Sequence, residues 1–385
     1  MPVELWRFDG QGAVGRLETA EELEFTWADR TSGTAVLETP LTDLSRMLLD
    51  KNGETLVVAT FNGKRHVSTV VESEVFAGGD QAQDVRVRAV CASAWSMLEG
   101  QRIPPVPDQP LSLQQSAEFF VLTGPVETVV KRLVSIGARR VGHPIHVMPD
   151  LGRGPTVTVK ARNDTTAELV AEALARTGYR LSLDAWLPGD ERIGDLSLTA
   201  PAIVADVVPY REQTGLVWSS MAHDLDDWGL TYKRPSMTRV IVGDHGEKTE
   251  QKFVSVAAPG APRSPWAQRE GYVEAGEEEN VYSRGEIELA KAAGAVDVDA
   301  TATPSQAWEF GVDKQYPRQF DVGDWVTVDL GGVGKVRQVV TEVTVKLSPV
   351  SLTVTPRVST PDTTERDLYA MVTDLDKRLE RAQRR

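Results

Sequence analysis

Cysteine occurs once in 385 residues, at Cys91. An intrachain disulfide is therefore impossible, and a thiolate metal cluster is excluded. In "DVRVRAVCASAW", Val85, Val87, Ala89 and Cys91 fall on alternate positions, so the thiol reads as a small hydrophobe on the buried face of a strand. No apolar run reaches the roughly 18 residues that a spanning helix needs, and no stable membrane insertion is expected. The start, "MPVELWRFDG", lacks a charged segment followed by an apolar one, so no secretory signal is read and folding in a cytoplasm is expected. Basic excess is missing too. The net charge is −14, with residues 1–115 carrying 17 acids against 10 bases and residues 116–200 carrying ten of each. Residues 201–360 carry 23 acids against 16 bases. Without a basic stripe, specific nucleic-acid binding is not expected.

What is present is mostly β. "ELEFTW" and "GTAVLETP" are strand-like, and "LTDLSRMLLD" sets Leu41, Leu44, Leu48 and Leu49 at helical spacing with Thr42 or Asp43 as cap. Asn62-Gly63 lies between two apolar runs, and both turn positions of such a hairpin require positive φ. "DVRVRAVCA" adds a strand, so the first region predicts a small antiparallel barrel or sandwich. "QRIPPVPDQP" holds four prolines and reads as a linker over 101–112.

Residues 113–195 read as a charge-neutral α+β module. One helix starts after Pro125 and stops at Gly137; a second has a Thr165/Glu168 capping box and ends by Gly178. Strands return after residue 196. A further helix in "NVYSRGEIELAKAAG" carries a Ser283/Glu286 capping box, and strands follow to about residue 360. In "TPDTTERDLYAMVTDLDKRLERAQRR", Leu368, Met371, Leu375, Leu379 and Ala382 share one stripe. About two heptads are too short to hold alone in water, so the stripe either joins copies already brought together or packs back on its own domain. The predicted fold class is α+β and β-dominated: two related small antiparallel β-barrel domains with α+β insertions and a C-terminal helix. The divisions are 1–112, 113–195, 196–268, 269–360 and 361–385.

No stretch with chemical potential meets the full requirements of that chemistry. "GDWVTVDLGGVGKVR" places Gly334-Lys335 before Val336, so no hydroxyl follows the lysine and a strand stands where a phosphate loop needs a helix. Its glycines read as a turn between strands 324–330 and 334–346. "HPIH" offers His143 and His146, but Pro144 opposes a helix and a third zinc ligand is not evident. "MAHDLDDWG" groups His223 with Asp224, Asp226 and Asp227, which is a divalent-ion or acid/base candidate and equally a solvated turn. "EAGEEEN", Glu274 to Glu279, reads as an acidic loop. No catalytic, metal or cofactor site is read, and the chain is expected not to be an enzyme.

The order of the pieces carries a resemblance: "PLTDLSRML" and "FNGKRHV", then "GPVETVVKRLV" and "TVTVKARNDTTAELVAEALARTGYRLSL", then "PYREQTGLVWSSMAHDL", "TRVIVGDHGE" and "QYPRQFDVGDWVTVDL". Over residues 1–360 this resembles the tail-tip (baseplate) hub proteins of long-tailed bacteriophages, most like the hub-type minor tail proteins of actinobacterial siphophages. The resemblance implies a homotrimer whose barrels form a ring that continues the tail tube. Its partners would be the distal tail protein ring, the tape-measure protein and other tip or fibre proteins, with DNA passing through the lumen. Its place would be the virion tail tip, assembled in the host cytoplasm. Leu368, Met371, Leu375 and Leu379 would then meet at the axis as an oligomer interface. Alternatives are a tail-associated cell-wall hydrolase using His223 and the neighbouring aspartates, and the hub of a contractile injection particle. Because the chain stops at Arg385, no lytic extension is expected.

Overall fold

The computed structural model describes residues 1–7, 12–17, 21–50, 52–77, 85–193, 198–245, 250–260, 264–276, 280–292, 295–302, 308–312 and 318–359. They fall into two compact units: Met1–Asp227 together with the described residues from Ala300 onward, and Trp228–Asp299.

The first unit opens with seven strands: β1 (Val3–Arg7), β2 (Ala13–Leu17), β3 (Glu22–Ala28), β4 (Thr34–Pro40), β5 (Thr55–Phe61), β6 (Lys64–Ala77) and β7 (Val85–Ser93). Period-two alternation sets their inner face, with Leu23, Phe25 and Trp27 on β3, Ala35 and Leu37 on β4, and Val87, Ala89 and Cys91 on β7 all buried. The Asn62-Gly63 turn has φ of 43° and 77°, as a tight hairpin demands, and pairs Phe61 with Lys64. The predicted helix over "LTDLSRMLLD" is a single 3-10 turn, Ser45–Leu48, tied by Thr42 and Ser45 to each other.

A layered α+β section follows: α1 (Trp95–Glu99), β8 (Arg102–Ile103), β9 (Phe120–Pro125), α2 (Val126–Val141), β10 (Ile145–Val147), β11 (Thr156–Ala161), β12 (Asp164–Thr165), α3 (Thr166–Leu174), β13 (Tyr179–Trp186) and β14 (Ala202–Pro209). The apolar stripe of α2, including Val129, Val130, Leu133 and Ile136, packs with Leu169 and Val170 of α3 and with Ile203 and Val207 of β14. Three expectations change here. The proline run is not a free linker: Gln101 and Ile103 are buried, and β8 pairs with β12. Helix α2 passes through Gly137, which packs against Gln101 and Thr166, and stops at Gly142 in the left-handed region (φ 84°). Helix α3 has the predicted Thr165/Glu168 capping box but ends at Leu174, before Gly178.

The remaining strands are β15 (Arg211–Ser219), β16 (Leu225–Lys233), β17 (Arg239–Gly243), β18 (Phe253–Ala257) and β19 (Glu270–Glu274), then, after α4 (Val281–Lys291), β20 (Ala295–Ala302), β21 (Glu309–Phe310), β22 (Gln319–Phe320), β23 (Asp324–Asp329), β24 (Lys335–Ser348) and β25 (Ser351–Ser359). In the second unit β17 lies between β18 and β19, and α4 packs on it through Leu289 against Val240 and Val242. Asn280, not Ser283, caps α4: its side chain accepts from the N–H groups of Tyr282 and Ser283.

The protein is β-dominated α+β, but its sheets are not closed barrels. The reason lies in β24. It pairs with β3 along Leu347↔Leu23 to Glu342↔Ala28, so the edge that would close an N-terminal barrel is taken by a strand more than 300 positions later. One open sheet results, in the order β20-β25-β24-β3-β4-β7-β6-β5-β1-β2, with β23 and then β15 added on the first half of β24.

Candidate functional site

A buried polar network of the first unit lies where these late strands meet the early ones. The Asn62-Gly63 turn delivers Lys64 into the interior, and its Nζ donates to the Asp321 carboxylate at 2.6 Å. Arg180 of β13 donates to the same carboxylate at 3.2 Å. Gly323 (φ 87°) permits this approach, because a Cβ there would stand 2.4 Å from Arg180 Cδ and 3.1 Å from the Tyr210 ring. Burial opposes ionisation of Asp321, but Lys64, Arg180 and the Val322 N–H outweigh it and hold its pKa below the ordinary value.

The network extends on both sides. Asp324 receives Arg211 in a fork, at 3.0 and 2.7 Å, together with Gln213 at 2.9 Å and the Asp321 N–H at 2.9 Å. Tyr210 donates to Asp29 at 2.5 Å, and burial followed by the charge of Asp29 pushes its phenol upward. Arg65 grips Asp190 with both guanidinium nitrogens, while its carbonyl accepts from Trp27 Nε1 at 3.1 Å. The chain's early strands, its α+β section and its late strands are thus joined by charge.

Apolar contacts follow the same route. Trp218 stands edge-on to Phe320, Phe320 touches Phe310, and Phe310 meets both Phe61 and Trp27. His66 sits against Phe25 and Trp27 with Nε2 3.0 Å from the Thr26 carbonyl. Burial, with Lys64 nearby, lowers its pKa to about 4 despite that carbonyl. A second buried group fixes α2: Glu127 receives Lys131 at 2.7 Å and Arg153 at 2.8 Å, and Lys131 also reaches Asp206 at 2.7 Å. Burial opposes ionisation of Glu127, yet Arg153 and Lys131 hold its carboxyl at about 2.

These carboxylates are neutralised by neighbouring cations, which suits bracing rather than proton transfer. The stretches with chemical potential do not converge on them. His223 adopts φ 60° in a turn, Asp224 accepts the Ser219 N–H, and Asp226 and Asp227 run on into β16. His143 bonds the Gln101 amide at 2.9 Å, and His146 lies on β10. Gly331–Val333 form a 3-10 turn that ends at Gly334, and Lys335 pairs with Asp329 at 3.4 Å. Among the described residues, no three of His, Cys, Asp and Glu gather as a metal site. Leu368, Met371, Leu375 and Leu379 lie outside the described residues, as do residues 277–279 of "EAGEEEN".

Sequence reading missed Lys64, Arg180, Asp321 and Asp324 as a group. The Asn62-Gly63 turn marks where Lys64 starts its strand, and the spacing of Asp321 and Asp324 in "FDVGDW" suits a turn. Arg180, 141 positions from Asp321, has no such local mark.

Residues 2–358 match the family described as Siphovirus ReqiPepy6 Gp37-like protein. No curated protein matches the sequence. Among solved structures, the fold is similar to the 43 kDa tail protein of prophage MuSo2 from Shewanella oneidensis. That match has TM-score 0.55 and 13% identity, and covers 94% of this chain and 99% of that one. It is also similar to prophage tail protein gp18 from Listeria monocytogenes, with TM-score 0.54, 10% identity and coverage of 98% and 100%. The tail protein from Neisseria meningitidis gives TM-score 0.51, 12% identity and coverage of 94% and 99%.

Proposed function

The chain belongs to the siphovirus ReqiPepy6 Gp37-like family, and we propose that it is a structural component of a phage tail tip, present as three copies in a ring. The observation that carries this reading is end-to-end correspondence. Three proteins called tail proteins share the fold over nearly their whole length and nearly all of this chain. In this reading the ring continues the tail tube, meets the distal tail protein ring on one side and tip or fibre proteins on the other, and lets the tape-measure protein and then DNA through. The five sequence divisions are its working parts, and the stripe Leu368, Met371, Leu375, Leu379 joins copies or holds the next tip protein. Two acidic regions, 1–115 and 201–360, give each copy the charge to repel a passing phosphate backbone. The role is non-catalytic and its site is the virion, after assembly in the host cytoplasm.

Support also comes from the bracing itself. A ring component under load during tail assembly and ejection benefits from strands far apart in sequence being locked by charge pairs and an aromatic row. Quantitative mass spectrometry of purified tails tests the reading, with three copies per tail expected. Six copies of a chain that is monomeric in solution, or absence from tails, would overturn it.

A further inference from the structure

Two backbone edges of the first unit have no neighbouring strand among the described residues, and they lie on opposite sides of one six-stranded stretch, β25-β24-β3-β4-β7-β6. Strand β6 pairs with β5 only as far as Thr69, so its outer edge is open over residues 70–77. Strand β25 meets β20 only at Val358 and Arg357, so its outer edge is open from Ser351 to Thr355. The two edges sit at the same height. A single row, Leu352, Leu347, Leu23, Leu37, Ala89, Ser73, crosses all six strands.

That row shows what the edges lack. Leu23 and Leu37 in the middle are 2% and 0% exposed, while Leu352 at the β25 end is 53% exposed. At the β6 end, Val75 lies opposite buried Val87 yet is 47% exposed. The apolar face of the sheet therefore runs out to both margins, and an added strand would complete its burial. We infer that copies of this chain join edge to edge, residues 70–77 of one pairing with 351–355 of the next. The inference deepens the ring reading and rests on it for closure of the ring.

Polarity and charge both select this pairing. Five antiparallel steps separate β25 from β6, so the two run in opposite directions. A copy rotated about an axis along the strands presents its β25 antiparallel to β6 and extends the ladder without reversal. Such a contact is heterologous and closes into a ring when the rotation divides a full turn. Pairing β6 with a second β6 would bring Glu72 and Glu74 near the same acids, whereas the open β25 edge from Ser351 to Thr355 carries no charged residue.

Cysteine cross-linking of the full chain tests this. Ser73→Cys and Leu352→Cys are made in separate chains, mixed and oxidised; Val75→Cys serves as the neighbouring register. The mixture should yield dimers containing one chain of each kind, and neither variant alone should do so, because a disulfide needs Cα atoms within about 7 Å. Val75→Lys should lower the oligomeric fraction in sedimentation by tenfold or more with an unchanged circular dichroism spectrum. Self-linked Val75→Cys dimers, or an oligomer indifferent to Val75→Lys and without mixed cross-links, would overturn edge pairing. Three copies in purified tails beside that negative result would leave the tail-tip reading standing. Mixed cross-links in a protein absent from tails would overturn the tail-tip reading and uphold the edge contact.

Discussion

Asp321 shows how much one side chain does in this interior. It is buried, and it is the shared acceptor of Lys64 and Arg180. Asp321→Asn leaves both cations without their anion, and breaking a buried pair in this way costs about 3–5 kcal/mol. A lowered denaturant midpoint with an unchanged slope is the expected result. His66 gives a pH signature. Its pKa is depressed from 6.5 to about 4, so the unfolded chain binds a proton that the folded chain refuses. Stability from this site is complete above pH 6.5 and lost as pH falls toward 4, by about 3 kcal/mol over the window. Glu127, held at about 2, adds a separate loss that begins below its ordinary 4.5. A His66→Phe variant should therefore lose the acid destabilisation that sets in below pH 6.5 and keep the Glu127 part that begins only below 4.5, as read from unfolding midpoints across pH.

At the scale of elements, caps separate what a sequence states from what only a fold decides. Thr165 and Glu168 cap α3 reciprocally, as the S/T-x-x-E pattern predicts. The same pattern at Ser283 and Glu286 is idle, because the chain enters α4 three residues earlier and Asn280 accepts the free N–H groups. Thr165→Ala and Asn280→Ala should each cost about 1 kcal/mol, while Ser283→Ala should stay within about 0.5 kcal/mol in thermal unfolding. Strands with period-two alternation, such as β3, β4 and β7, were legible from local pattern, and so was the Asn62-Gly63 hairpin. Gly137 misled, since a glycine inside a helix can serve close packing as well as termination. The proline run misled because Ile103 and Pro104 are buried against other segments, and proline content alone does not report burial.

At the scale of the whole molecule, barrel closure depended on a partner that no local pattern identifies. β3 and β24 are each ordinary strands, and their pairing is visible only once the chain is folded. The charge cluster was hidden for the same reason: Lys64, Arg180 and Asp321 are far apart in sequence. The open sheet that results also separates two ways of holding copies together. Ending the chain after Ser359 removes the stripe Leu368, Met371, Leu375, Leu379 and leaves residues 70–77 and 351–355 in place. If sheet edges join the copies, the shortened protein keeps the oligomeric mass of the full chain in sedimentation. Tails built with it should then fail at the next step, attachment of the distal tip protein, since the stripe is the part removed. If the stripe joins the copies instead, the shortened protein falls to monomers at the same concentration while its unfolding midpoint holds, because the strand pairings among the described residues all lie within one chain. Sedimentation of the full and shortened proteins at matched concentration therefore decides which element would carry the proposed ring.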